Sequence, residues 1–401
     1  MQAMDSPAGP SRAPPQSKAM GERKVGEKVV LEREAFPTLL ASLKSHGYTV
    51  VGPTVRDGAI VYGGIERVED LPIGWTERQD AGKYRLERRT DQALFGYVVG
   101  PHSWKKYLFP SHERLWTATC QDGTFEVAPE PAHGAPYAFL GVRACELAAI
   151  AIQDRVFGKA GDPTYVARRA RTLRIAVQCG QAGGTCFCVS MGTGPAVRSS
   201  HDLALTEILD AGRHIFLVEV GSPAGAAVLA SVPVRPATEA DERTAEAIVG
   251  RTAQSMGRTM DVRGIRDLLV RNPEHPRWEI VAKRCLACTN CTMACPTCFC
   301  QTTEEVPDLT GTKVERWRRW DSCFNSGFSE LHGTPVRKTT QSRYRQWMTH
   351  KLATWHDQFD SSGCVGCGRC ITWCPVGIDI TEEVAAIRAN PQVPKAQGGS
   401  A

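Results

Sequence analysis

Several things are missing from this sequence, and each absence removes a class of function. No stretch of the 401 residues approaches the ~18 uninterrupted apolar side chains needed to span a bilayer, so no membrane partner is expected. The N-terminus lacks a positively flanked apolar core, which argues against a secretory leader and for a cytoplasmic protein. A complete G-x-G-x-x-G turn is also missing: Gly192-Thr-Gly194 neither completes it nor opens a helix directly after a strand, so no dinucleotide fingerprint is read. There is no phosphate loop and no nucleophile-base signature, and the 10 histidines show no metal-ligand spacing. A formal net charge of +5 is too mild to require nucleic acid or an anionic surface.

Cysteine is what the chain has in excess, with 16 in all. In a chain without a visible leader they belong to a reducing compartment and read as metal ligands before disulfides. Half of them fall in two matching runs, Cys285-Leu-Ala-Cys288-Thr-Asn-Cys291-Thr-Met-Ala-Cys295-Pro296 and Cys364-Val-Gly-Cys367-Gly-Arg-Cys370-Ile-Thr-Trp-Cys374-Pro375, each C-x2-C-x2-C-x3-C-P. That spacing wraps three thiolates around one iron-sulfur cube and sends the fourth to a second cube. Crossed wiring follows: Cys285, Cys288, Cys291 and Cys374 around one [4Fe-4S] cluster, Cys364, Cys367, Cys370 and Cys295 around another. Gly366, Gly368 and Ala287 are small enough to let the backbone approach the cube, and the prolines turn the chain away. Structural zinc is the alternative, but it usually collects two separated pairs of ligands.

Ahead of these runs, Ala35 to His46 predicts an amphipathic helix, and Tyr48–Val51 with Ala59–Tyr62 flank Asp57-Gly58 as a hairpin. Short alternating segments follow, Leu94 to Val99 and Phe125 to Val127 among them, so the region to about residue 130 reads as mostly β, with Cys120 a buried apolar residue. Tyr137–Val142, a helix from Glu146 to Val156, and Leu173–Val177 then form a strand-helix-strand unit of the kind that pairs parallel. Both strands end near cysteines, and ligands of open α/β sheets bind at that carboxyl edge. Cys145, Cys179, Cys186 and Cys188 are therefore a candidate third four-thiolate site, the alternative being buried cysteines around a glycine turn. A further strand from Arg213 to Val220 and helices from Asp241 to Met256 and Asp261 to Val270 lead to the first run.

The fold expected is α+β and multidomain: disordered tails at 1–26 and 393–401, an N-terminal α/β domain at 27–258, and an α-helical ferredoxin-type domain with two [4Fe-4S] clusters at 259–392. Residues 296–363 separate the runs and hold Cys298, Cys300 and Cys323, which could supply an alternative ligand, bind another metal ion, or pack beside the clusters. The same insert mixes cations with aromatics in Arg316-Trp-Arg-Arg-Trp320 and Arg343-Tyr-Arg-Gln-Trp347. This mixture suits a protein interface or core, and single-stranded nucleic acid is the alternative.

Gly141-Val-Arg-Ala-Cys145-Glu-Leu, Gly183-Gly-Thr-Cys186-Phe-Cys188-Val-Ser-Met-Gly-Thr-Gly194, Cys295-Pro-Thr-Cys298-Phe-Cys300, Trp320-Asp-Ser-Cys323 and the second run resemble the iron-sulfur β subunit of cytoplasmic sulfhydrogenases, which are NAD(P)-linked nickel-iron hydrogenases. They are equally similar to the electron-transfer subunit of anaerobic sulfite reductase. The resemblance implies an electron relay, with a flavin/NAD(P)-binding subunit on one side and nickel-iron hydrogenase small and large subunits, or a sirohaem sulfite reductase subunit, on the other. Ala144 and Glu146 depart from the family pattern, which has Pro and Asp there. No catalytic residue is assigned, since substrate chemistry would lie on the partners. Sulfur reduction by the chain itself and nucleic-acid binding are the other readings.

Overall fold

In a computed structural model of the chain, residues 23–130, 136–198, 200–210 and 212–391 are described. Most of the expected N-terminal tail and all of 393–401 lie outside the described residues. The end of that N-terminal tail is held, with Gly26 N donating to Val220 O at 2.7 Å.

The described chain opens on β1 (Lys28–Glu32), the helix Phe36–Ser45, and the hairpin of β2 (Thr49–Arg56) and β3 (Ala59–Gly64). Asp57 and Gly58 both take positive φ, 52° and 71°, as a two-residue type I′ turn demands. A second hairpin, β4 (Trp75–Asp80) and β5 (Lys83–Arg88), precedes the paired β6 (His112–Gln121) and β7 (Thr124–Pro129). From β8 (Tyr137–Val142), helices Ala144–Ala160 and Pro163–Ala170 lead back to β9 (Leu173–Val177), which pairs parallel with β8. Then come β10 (Leu203–Asp210), β11 (Arg213–Val220), the two-residue β12 (Arg235–Pro236) and the helix Glu239–Gln254.

Eight of these strands form one sheet in the order β12-β1-β11-β10-β9-β8-β2-β3, with parallel pairing in its centre from β10 to β2. Alternate side chains of each central strand serve opposite faces. Val50, Leu140, Ile175 and Leu205 pack against Phe36, Leu39, Val228 and Leu229 on one side. Val51, Phe139, Ala176 and Ala204 pack against Leu147, Ile150 and Phe157 on the other. Both faces are covered, so these strands read as nearly continuous apolar runs.

Leu94 to Val99 is not the strand its apolar alternation suggests. Its side chains are buried, but side chains rather than a neighbouring strand satisfy its backbone. Glu207 accepts from the Leu94 and Phe95 amides, Glu77 accepts from Val98 N, and Arg143 donates to the carbonyls of Phe95 and Tyr97.

The region after residue 258 is mixed rather than the expected all-helical domain. Helices Ile265–Arg271, Arg277–Arg284, Thr340–Thr349, Trp355–Phe359 and Ile380–Ala389 are present. The insert also contains β13 (Gln301–Pro307), β14 (Lys313–Trp320) and the minimal pair β15 (Glu330–Leu331) and β16 (Thr334–Pro335). β-branched and aromatic residues, Thr302, Thr303, Val306, Val314 and Trp317, favour a pleated surface, and Gly311 with φ 71° turns the hairpin. β14 pairs with β6, giving a sheet β13-β14-β6-β7 that crosses the boundary expected near residue 258.

The two halves also meet closely at the second cysteine run. Gly366 and Gly368 have φ of 64° and 74°, and a Cβ there would lie 2.6 Å from Phe187 O and 2.4 Å from Thr185 O. Gly366→Ala should therefore cost about 1–3 kcal/mol from backbone strain, plus the clash. Its expected reading is a lowered midpoint of anaerobic thermal unfolding, whereas alanine at the solvent-facing Gly327, whose φ is ordinary, should change little.

Candidate iron-sulfur sites

The two cysteine runs share a backbone as well as a spacing. Ala287 and Thr289 of the first have φ of 51° and 69°, and Gly366 and Gly368 occupy the same two places in the second with φ of 64° and 74°. In each run the second of these precedes a single helical turn, Asn290–Met293 and Arg369–Thr372. Each run also points an amide at its first thiol: Ala287 N donates to Cys285 Sγ and Gly366 N to Cys364 Sγ, both at 3.4 Å. Non-glycine residues persist in left-handed backbone only where their surroundings over-determine it. The first run tolerates Ala and Thr because they are half-exposed, whereas the second is pressed against the 185–188 loop and needs glycine.

Chain crossing brings thiols of both runs together. Cys285, Cys288, Cys291 and Cys374 line one cavity, walled by Phe324, Tyr344, Trp347, Ile378 and Ile380. Cys288 is exposed at its mouth beside the exposed Leu286, while Cys374 is buried. Cys364, Cys367, Cys370 and Cys295 form the neighbouring group, with Cys295 acting electrostatically on each of the other three. Cys370 also lines the first cavity, so the two groups share a wall. Among the described residues no three Cys, His, Asp or Glu side chains converge as a single metal ion would need. The thiols instead ring a space, the donor arrangement that suits a cubane with soft iron and sulfide.

Cys145, Cys179, Cys186 and Cys188 also come together. Cys145 stands at the second position of the helix after β8, and Cys179 two residues past β9, so the parallel pair delivers both to one edge. A bulge at Gly141, φ 91°, re-aims the end of β8 toward that edge. Cys188 acts on both Cys145 and Cys186, and Cys367 of the second run acts on Cys145, Cys186 and Cys188. Burial pushes these thiols up, Cys188 to about 12, and Cys364 likewise to about 12. Without a metal they are neutral thiols, and ligation must displace their protons.

Cys298, Cys300 and Cys323 are partly buried beside the second group. The Cys323 thiol donates to Cys300 and draws it down to about 7, against the burial that opposes ionisation. Cys298 likewise donates to Cys295 and lowers it. Lys105, buried above the Trp320 ring at 3.7 Å, donates to Cys298 O, and burial lowers it to about 8. Cys120 is half-buried on β6, away from these groups.

The basic aromatic segment is committed elsewhere. Arg318 is buried and pairs with Glu113 and Asp162, Arg316 pairs with Glu305, and Trp320 Nε1 donates to Phe109 O. Tyr344 and Trp347 are buried against the first cavity.

Sequence reasoning missed the charged residues that hold the sites in place. Arg143 is buried, donates to Gln178 O at 2.9 Å beside Cys179, and lowers that thiol's pKa against the stronger upward effect of burial. Arg369, between Cys367 and Cys370, meets Glu146, next to Cys145, at 2.5 Å with both side chains essentially inaccessible. Glu146 also accepts from Tyr62 Oη, Trp104 Nε1 and Arg143 N, while Arg369 donates to Gly100 O and His102 O. The only signal in the sequence was that Glu146 departs from the family pattern. Glu146→Gln should destabilise the fold by about 3–5 kcal/mol by leaving Arg369 without its counter-charge. Denaturant unfolding under anaerobic conditions checks this, and a loss below about 1 kcal/mol would contradict it.

Residues 284–378 match the family described as 4Fe-4S dicluster domain. Among characterised proteins, Sulfhydrogenase 2 subunit beta of Pyrococcus furiosus is 27% identical over 366 residues, which cover 90% of this chain and 98% of that protein. No solved structure matches the chain. No helix among the described residues is long and apolar enough to cross a membrane. The chain is an iron-sulfur electron-transfer protein with a 4Fe-4S dicluster domain, and its resemblance to sulfhydrogenase β subunits is borne out along nearly its whole length.

Proposed function

We propose that this chain is the relay subunit of a multisubunit sulfhydrogenase, carrying electrons between a flavin/NAD(P)-binding protein and a nickel-iron hydrogenase pair. The observation that carries the reading is the crossing of the runs, with Cys374 on the cavity of Cys285, Cys288 and Cys291, combined with similarity to a sulfhydrogenase β subunit. When bound, a [4Fe-4S] cluster takes up and releases one electron at a potential that its surroundings tune. Cys285, Cys288, Cys291 and Cys374 would hold one cluster, Cys364, Cys367, Cys370 and Cys295 a second, and Cys145, Cys179, Cys186 and Cys188 a third.

The chain's own residues order these sites. Cys367 borders the third group and Cys370 the first cavity, so the second group lies between them. Three of the third group's four thiols are buried, whereas the first group reaches the surface at Cys288, beside the exposed apolar Leu286. A partner that exchanges electrons with the first site would dock there. Phe324, Tyr344 and Trp347 keep water from the inner wall of that cavity.

Anaerobically purified protein should contain about twelve iron and twelve labile sulfide per chain, against about eight if the N-terminal thiols stay empty. Cys179→Ser should lower the count by about four, and Cys374→Ser should remove the cluster of the first run although it lies in the second. Paramagnetic resonance after dithionite reduction follows each loss. Material with zinc and no sulfide would overturn the assignment, as would co-purification with sirohaem instead of flavin and nickel.

A further inference from the structure

The two thiol groups of the dicluster region have unlike surroundings. Aromatic and aliphatic side chains line the first, and no lysine or arginine is among them. The second contains a buried ammonium. Lys351 is 3% exposed, and its Nζ lies 3.2 Å from Cys295 Sγ, 3.5 Å from Cys298 Sγ, 3.3 Å from Thr297 Oγ1 and 3.2 Å from Gly363 O. None of these four contacts is a carboxylate, and no ion pair involving Lys351 is found among the described residues. A buried ammonium without a counter-charge is costly. The available negative charge is that of thiolates and whatever they hold.

The local backbone is arranged for this contact. Helix Thr340–Thr349 continues into Trp355–Phe359 through a π-helical turn, His350–Thr354, and Lys351 sits in that turn. Such widened turns are rare in proteins and frequently mark functional positions. Lys351 O also accepts from Gly363 N at 2.8 Å, directly before Cys364. One residue therefore clasps both segments that supply the second thiol group: Cys295 through its ammonium, and the approach to Cys364 through its carbonyl and its ammonium. Thr297 closes the ring, with its hydroxyl 3.1 Å from Cys295 Sγ and donating to Gly363 O at 2.6 Å.

We infer that Lys351 is the positioning residue that sets the potential of the cluster held by Cys364, Cys367, Cys370 and Cys295 above that of its neighbour. A fixed positive charge that hydrogen-bonds a ligand sulfur stabilises the reduced, more negative state, and in a low-dielectric surrounding it does so strongly. At the first group Arg343 acts on Cys285 only through space, from outside the apolar wall, so the first cluster is the poorer acceptor of the two. Electrons that enter at the Cys288 surface then run inward to the second site. The inference rests on the ligand assignment proposed above.

The test is a potentiometric titration of the whole chain, followed by paramagnetic resonance, on wild type and Lys351→Met. At fixed potential the reduced-to-oxidised ratio of one cluster signal should fall about tenfold, a shift of about 59 mV for one electron, while the other signals hold their midpoints. Unchanged midpoints with full iron content would overturn the role of Lys351, as would a shift confined to the signal that Cys374→Ser removes. If Lys351→Met fails to assemble, Lys351→Arg decides: a wild-type midpoint supports the inference and a shift to lower potential overturns it. Cys295→Ser tests the ligand assignment separately. It should abolish or alter the signal that Lys351→Met moves, and if it leaves iron content and every signal intact, the assignment itself fails regardless of the lysine variants.

Discussion

The ion pair between Glu146 and Arg369 is the constraint on which the rest of the molecule turns. One partner follows Cys145 at the start of the helix after β8, and the other lies between two cysteines of the second run, so a single contact joins the α/β sheet to the dicluster region. Both charges are removed from water, which would be costly for either alone. The network around them takes up much of their remaining capacity, with Tyr62, Trp104, Gly100 and His102 contributing hydrogen bonds. A buried network with this many directional partners strongly favours one register. That register presses Gly366 and Gly368 onto the 185–188 loop and sets Cys367 beside the N-terminal thiols. Electron hopping between neighbouring sites requires this kind of fixed separation.

The thiol groups add a second constraint. Burial raises thiols such as Cys188 and Cys364, so metal binding must expel protons from sites that already lack water. Cations at the edges of the groups, Arg143 by Cys179 and Lys351 by Cys295, ease that ionisation locally. They differ in character. Arg143 divides its hydrogen bonds between backbone carbonyls and the Cys179 thiol, whereas Lys351 sets its ammonium between two sulfurs, those of Cys295 and Cys298.

What could be read from residues alone follows from how local each feature is. The cysteine runs are legible because their ligand spacing is written within eleven residues, and the Asp57-Gly58 hairpin because a two-residue turn states its own geometry. Leu94 to Val99 misleads because the groups that take its backbone, Glu77, Arg143 and Glu207, are scattered along the chain. β10 is hidden for a similar reason: its partners β9 and β11 make it a strand, while Leu-Ala-Leu-Thr-Glu-Ile-Leu alone suits a helix equally well. The convergence of Cys145, Cys179, Cys186 and Cys188 is readable as far as strand ends go. Glu146 and Lys351 are not, because their importance lies in partners brought near only by folding.

The sheet β13-β14-β6-β7 carries a consequence for how the chain is made. β6 is complete once residue 121 has left the ribosome, yet its hydrogen-bonding partner β14 is not finished until residue 320. Throughout that interval one side of β6 presents unpaired amides and carbonyls, a template for pairing with other chains. Contacts that bridge so much sequence are also slow to form. Fragments cut near residue 258 would keep that open edge permanently, so the two halves of this protein are suited to being synthesised, and handled, as one piece.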